Sequence, residues 1–145
     1  PNAEYYRQNA AKYSQELSRL DQEYRSTLSA LPRREIVVSH AAFGYLVARY
    51  NLTQRSIMGL TPHSEPTPDK MAQVVKFCRD HNVKYIFFET LVNPKLSQTV
   101  AKETGAKLLV LNPVESMTED ETKQGKNYIS LMRENLANLK TALSE

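Results

Sequence analysis

The chain reads as an α/β domain: a four-stranded parallel sheet covered by helices on both faces and preceded by one long helix. Three observations predict it. Strand and helix periodicities alternate from residue 35 onward. Two of the strand segments, Tyr85-Ile86-Phe87-Phe88 and Leu108-Leu109-Val110-Leu111, are continuous apolar runs, the pattern of strands buried on both faces. Proline, asparagine and glycine sit where helices of this arrangement must start and stop. Such alternation builds a parallel sheet with right-handed crossovers.

Residues 2–30 form a single helical pattern, with Asn2 placed to cap it and Tyr6, Tyr13, Leu17, Leu20, Tyr24, Leu28 and Leu31 recurring at helical spacings. At about 1.5 Å per residue such a helix is about 40 Å long, more than a small sheet needs for cover, which makes it a strut. Its apolar positions lack the sustained heptad of a coiled coil and form one stripe for packing on the sheet. Pro32 closes it. The following pattern predicts strand 35–39, helix 41–50, strand 55–58, helix 67–81, strand 84–89, helix 94–104, strand 107–111 and helix 119–143. Thr67-Pro68 and Asn93-Pro94 each offer a capping residue before a proline at the helix start, and Gly105 supplies a C-terminal stop.

Composition excludes several classes. With 145 residues, 41% of them hydrophobic, the chain can bury one core. Its net charge of +3 is spread, and Arg33-Arg34 and Lys123 with Lys126 are the largest basic groupings, too small for a nucleic-acid footprint. The single cysteine, Cys78, rules out an intrachain disulfide and lies in an apolar helical segment, where it reads as an inert core residue. No apolar run reaches the roughly 20 residues of a membrane-spanning helix. The opening Pro1-Asn2-Ala3-Glu4 lacks the pattern of a secretory leader, as would a chain from which a leader had been removed.

The polar groups collect at one edge. The first strand ends in Ser39-His40, the loop after the second holds His63 and Glu65, the third ends in Glu89-Thr90, and Asn112-Pro113-Val114-Glu115 follows the fourth. In an open parallel sheet these all fall beyond the carboxyl ends of the strands, where ligands bind. An imidazole with a carboxylate suits zinc better than calcium or magnesium, which prefer oxygen-only shells. The opposing interpretation makes His40 a helix cap and Glu89 and Glu115 solvated loop carboxylates. Neither a His-Glu-x-x-His helix, nor paired cysteines, nor a glycine-rich phosphate loop is present. Glu65 and Glu89 are candidates for orienting His40 through its other ring nitrogen, and Ser39 for capping or support. His63 is an additional candidate for the site, set against the exposed position that the proline-rich loop 61–68 favours, and His81 reads as a helix-terminal residue that complements the dipole. Adjacency alone does not make Ser39 and His40 a nucleophile and its base.

Several of these segments carry a resemblance. Ser39-His40-Ala41-Ala42-Phe43-Gly44-Tyr45-Leu46, Gly59-Leu60, Glu65-Pro66-Thr67-Pro68, Tyr85-Ile86-Phe87-Phe88-Glu89 and Leu111-Asn112-Pro113-Val114-Glu115 occur in that order. Together they resemble the second lobe of the zinc-binding receptors of ABC importers, the cluster A-I solute-binding proteins, and in particular the zinc-uptake lipoproteins of Gram-positive bacteria. The resemblance implies that residues 1–31 are the long helix between two lobes and residues 32–145 the carboxyl-terminal lobe. It also implies that His40 and Glu115 are half of a Zn²⁺ site, the other half being two histidines of an amino-terminal lobe. Manganese-binding relatives carry a carboxylate where this chain has His40, so His40 favours zinc.

Further expectations follow from that resemblance: delivery of Zn²⁺ to an ABC permease and its ATPase, an extracytoplasmic and membrane-anchored parent protein, and no enzymatic activity. Two ligands in place of four predict weak zinc binding by this chain alone. An apolar stripe left uncovered predicts self-association, for which an exchanged helix is one route. From the residues themselves, a metal-dependent α/β hydrolase and an interaction module built on the long helix stay open as alternatives.

Overall fold

The computed structural model describes residues 2–61 and 65–145. The long helix α1 (Ala3–Ser29) comes first, followed by β1 (Glu35–Val38), α2 (Gly44–Arg49), β2 (Thr53–Ser56), α3 (Pro68–Asp80), β3 (Tyr85–Phe88), α4 (Lys95–Thr104), β4 (Lys107–Val110), α5 (Glu119–Lys123) and α6 (Tyr128–Leu143). The four strands form one parallel sheet in the order β2-β1-β3-β4. β1 and β3 are therefore central, and every strand points its carboxyl end to the same edge.

Alternating side chains of the central strands feed two cores. Ile36, Val38 and Phe87 face α1, α2 and α6, where they pack with Tyr24, Leu28, Val47 and Leu139. Val37 and Ile86 face the other way, against Val74 and Cys78 of α3 and Val100 and Ala101 of α4. Both faces are covered, as the continuous apolar strands require. Burial pushes the Cys78 thiol up to about 11, which leaves it a packing residue.

The ends of α3 and α4 form as the sequence indicates. The Thr67 hydroxyl accepts from Lys70 N, the Asn93 side chain accepts from Lys95 N, and Gly105 ends α4 at φ 73. His81 ends α3, stacked on Phe77 and paired through Nδ1 with Glu35 at 2.8 Å.

Four expectations change. The predicted helix 119–143 is two helices, because Gly125 turns the chain at φ 69 and Asn127 starts α6 with a capping box shared with Ser130. The predicted strand 55–58 lies two residues earlier. Its apolar pair Ile57-Met58 follows β2 and is held by bonds from Ile57 N to Val38 O and Met58 N to Ser39 O. The helix expected from residue 41 starts at Gly44, since residues 39–43 turn the chain out of the sheet. Asn2 makes no side-chain cap, being itself in the left-handed region at φ 73.

The stripe of α1 is used unevenly. Leu20, Tyr24 and Leu28 are buried, whereas Tyr5, Tyr6, Tyr13 and Leu17 are exposed. Tyr24 donates its hydroxyl to Met132 O at 2.6 Å, and Glu23 holds Arg133 in a two-pronged pair. Among the described residues no helix is long and apolar enough to cross a membrane.

Candidate metal centre

His40 lies just beyond the end of central strand β1, and Glu89 just beyond the end of its neighbour β3. Each is less than one-tenth exposed. His40 Nδ1 stands 2.6 Å from Glu89 Oε1, and the Ser39 hydroxyl donates to the same oxygen. A carboxylate oxygen accepts, so the neutral imidazole in this contact carries its proton on Nδ1 and its lone pair on Nε2. This is the arrangement that orients a metal-binding histidine through its outer nitrogen. Three polar side chains taken from water thereby satisfy one another, where any one left alone would carry a desolvation cost.

A cleft of about 340 Å³ opens at this edge, lined by His40, Glu89, Leu91, Val92, Asn93, Asn112, Pro113 and Glu115. His40, Glu89 and Glu115, drawn from three different strand ends, therefore share one concavity. Glu115 differs from the other two in being exposed. Its loop is shaped by Asn112, whose side chain accepts from Val114 N at 2.8 Å, and by Val114 itself at φ 60. Among the described residues no group of three or more His, Cys, Asp or Glu side chains is already assembled for a metal. The donors present, one imidazole and one or two carboxylates, form part of a shell that suits zinc.

The other sequence candidates fall outside this cleft or outside the described residues. Glu65 is exposed in the segment before α3 and does not line the cleft. His63 lies outside the described residues. Ser39 does not cap α2, which has no side-chain cap, and instead serves Glu89. The sequence pattern did not single out Asn135, which holds Asn112; its signal was a pair of asparagines, Asn135 and Asn138, three apart among the leucines of the last helix. A larger groove, about 620 Å³, lies between α1 and the end of α2, among Arg25, Arg34, Arg49 and Tyr50. Its guanidinium groups are engaged structurally: Arg34 on carbonyls at the end of α1, Arg25 and Arg49 on Asp21.

Fold and site together define an α/β domain whose His40, Glu89 and Glu115 gather in a cleft at the carboxyl edge of a parallel sheet. The chain belongs to the family described as zinc-uptake complex component A, periplasmic, whose profile matches residues 1–142. It is 42% identical over 138 residues to the zinc-binding protein AdcA of Streptococcus pyogenes, covering 95% of this chain and 27% of that protein. It is 40% identical over 142 residues to the high-affinity zinc uptake system protein ZnuA of Bacillus subtilis, covering 98% of this chain and 44% of that protein. Among solved structures, the Zn(II)-bound ZnuA-like domain of Streptococcus pneumoniae AdcA superposes with a TM-score of 0.82 at 39% identity, over 99% of this chain and 54% of that one. The laminin-binding protein Lbp of Streptococcus pyogenes superposes with a TM-score of 0.85 at 36% identity, over 95% and 53%. The chain thus spans less than half the length of these curated relatives and about half of the solved ones.

Proposed function

We propose that this chain is the carboxyl-terminal lobe of an extracytoplasmic zinc receptor that hands Zn²⁺ to an ABC permease and its ATPase. In this reading His40 and Glu115 are metal ligands, Glu89 and Ser39 support His40, and residues 1–31 reach toward a second lobe. The observation that carries it is the His40–Glu89 contact, which leaves Nε2 of a buried, immobilised imidazole available at a cleft that also contains Glu115. Family membership and the zinc-binding names of the relatives support the choice of metal.

The lobe works by binding rather than by catalysis. Zn²⁺ is its cargo, and no bond is made or broken in the ligand. An exposed carboxylate sharing a cleft with an immobilised imidazole allows capture by closure of a second lobe around the ion. With two ligands from this side the affinity of the chain alone is weak, and ligands from a second lobe complete the shell. The exposed Tyr5, Tyr6, Tyr13 and Leu17 on α1 and the exposed Leu91 at the cleft rim are the apolar surface that such a lobe covers. Left uncovered, the same surface supports self-association of the chain.

Calorimetric zinc titration of the wild-type chain, His40→Ala and Glu115→Ala, with sedimentation alongside, tests the proposal. Weak binding that both substitutions abolish supports it. Undiminished binding in both variants places the ion elsewhere and overturns it.

A further inference from the structure

We propose that Asn135, acting through Asn112, is the positioning residue for Glu115. This rests on the reading of Glu115 as a zinc ligand. β4 is an edge strand, and the backbone just beyond it, bonded inward from Leu111 N to Phe88 O, has no strand on its outer side. Helix α6 takes that place. Asn135 Oδ1 accepts from Asn112 N at 2.8 Å, and Asn135 Nδ2 donates to Asn112 O at 2.7 Å, so one side-chain amide pairs with both backbone groups of Asn112 as a strand would. One helical turn later Asn138 donates to Val110 O at 2.9 Å. Two asparagines on one face of a helix thus meet alternate residues of the strand and its extension.

The consequence lies downstream of Asn112. With its backbone held on one side, its own side chain accepts from Val114 N at 2.8 Å and reaches Thr90 Oγ1 at 3.4 Å. Pro113 stiffens the step between, and Val114 is held at φ 60, a conformation that a β-branched residue rarely adopts. Strain of this kind persists only where surrounding contacts over-determine it. Here the contacts that determine it belong to Asn112 and Asn135, and the residue it aims is Glu115. Asn135 is only 2% exposed and Asn112 6%, so both amides are desolvated and depend on these partners. Because α6 is tied to α1 by Tyr24 and Glu23, the placement of Glu115 is referred back to the long helix.

The test is Zn²⁺ titration followed by nitrogen and carboxyl-carbon NMR on the wild-type chain, Asn135→Leu, Asn112→Ala and Glu115→Gln. Asn135→Leu is expected to weaken zinc binding roughly tenfold, at the lower end of effects seen for groups that orient a ligand. The zinc-induced shift of the Glu115 carboxyl carbon at saturating zinc should shrink, while that of His40 Nε2 persists; a merely structural loss would move both together. Asn112→Ala removes the contact to Val114 N while leaving the backbone pairing with Asn135 in place, and should act in the same direction even if Asn135→Leu fails to fold. Wild-type affinity and a responding Glu115 carboxyl in Asn112→Ala overturn the proposal and leave Glu115 a ligand. Unchanged binding in Glu115→Gln removes the ligand reading itself, and the proposal with it.

Discussion

His40 and Glu115 line the same cleft, yet the protein builds them in opposite ways. His40 stands just beyond a central strand, buried, its ring held by a carboxylate that Ser39 also holds. Glu115 stands exposed on a loop beyond an edge strand, aimed by backbone geometry one and three residues before it. The first is preorganised by desolvation and hydrogen bonding, so disturbing it disturbs the fold. The second is preorganised by a relay, so it can change without the fold noticing. A binding lobe that must both seize and release an ion is served by one fixed and one adjustable group.

Substitutions can break or sharpen that contrast. Glu89→Ala should have the largest effect: it strands a buried imidazole and a buried hydroxyl, with an expected loss of about 1–3 kcal/mol of stability and a fall in zinc affinity of about tenfold or more, read by thermal denaturation and titration. Ser39→Ala removes one hydrogen bond and should cost about 1 kcal/mol with little change in zinc binding. Asp21, which does not line the cleft, offers a comparison. Arg49 and then Arg25 hold its carboxyl well below the ordinary carboxylate range, so it adds stability above that range and loses it as pH falls. Asp21→Asn should therefore destabilise by less than about 1 kcal/mol at neutral pH, with the gap narrowing as denaturation is measured below about pH 4. Glu115→Ala should be the smallest, within about 0.5 kcal/mol of wild type, while zinc binding is lost. Equal destabilisation by Glu89→Ala and Glu115→Ala would erase the contrast.

Much of this was legible in the chain. Continuous apolar runs marked the two-faced strands, Thr67-Pro68 and Asn93-Pro94 marked helix starts, and the strand-to-helix step after Val38 put His40 at the ligand edge. Glu89 was marked as an orienting candidate by its place at a strand end, but so was Glu65, which the structure leaves in solvent. Both strands pair with β1, and the difference is distance along the chain: Glu89 directly follows β3, whereas Glu65 comes nine residues after the end of β2. The break in the last helix had its signals in Gly125 and Asn127, outweighed in the pattern by the apolar spacing on either side.

Periodicity and punctuation are local properties, and so the chain by itself determined its class, its element order and the edge at which its polar groups would gather. It also determined the chemical character of the site, because the kinds of side chain at strand ends do not depend on how strands are shuffled. Strand order is not local. Only the tertiary structure decided that β1 and β3 are neighbours, which pairs His40 with Glu89, and that β4 is an edge, which leaves room for Asn135. Residues 23 and 49 positions apart in the chain come within hydrogen-bonding distance because burying two apolar faces leaves few ways to lay helices over a sheet, and no spacing in the sequence records which way is taken.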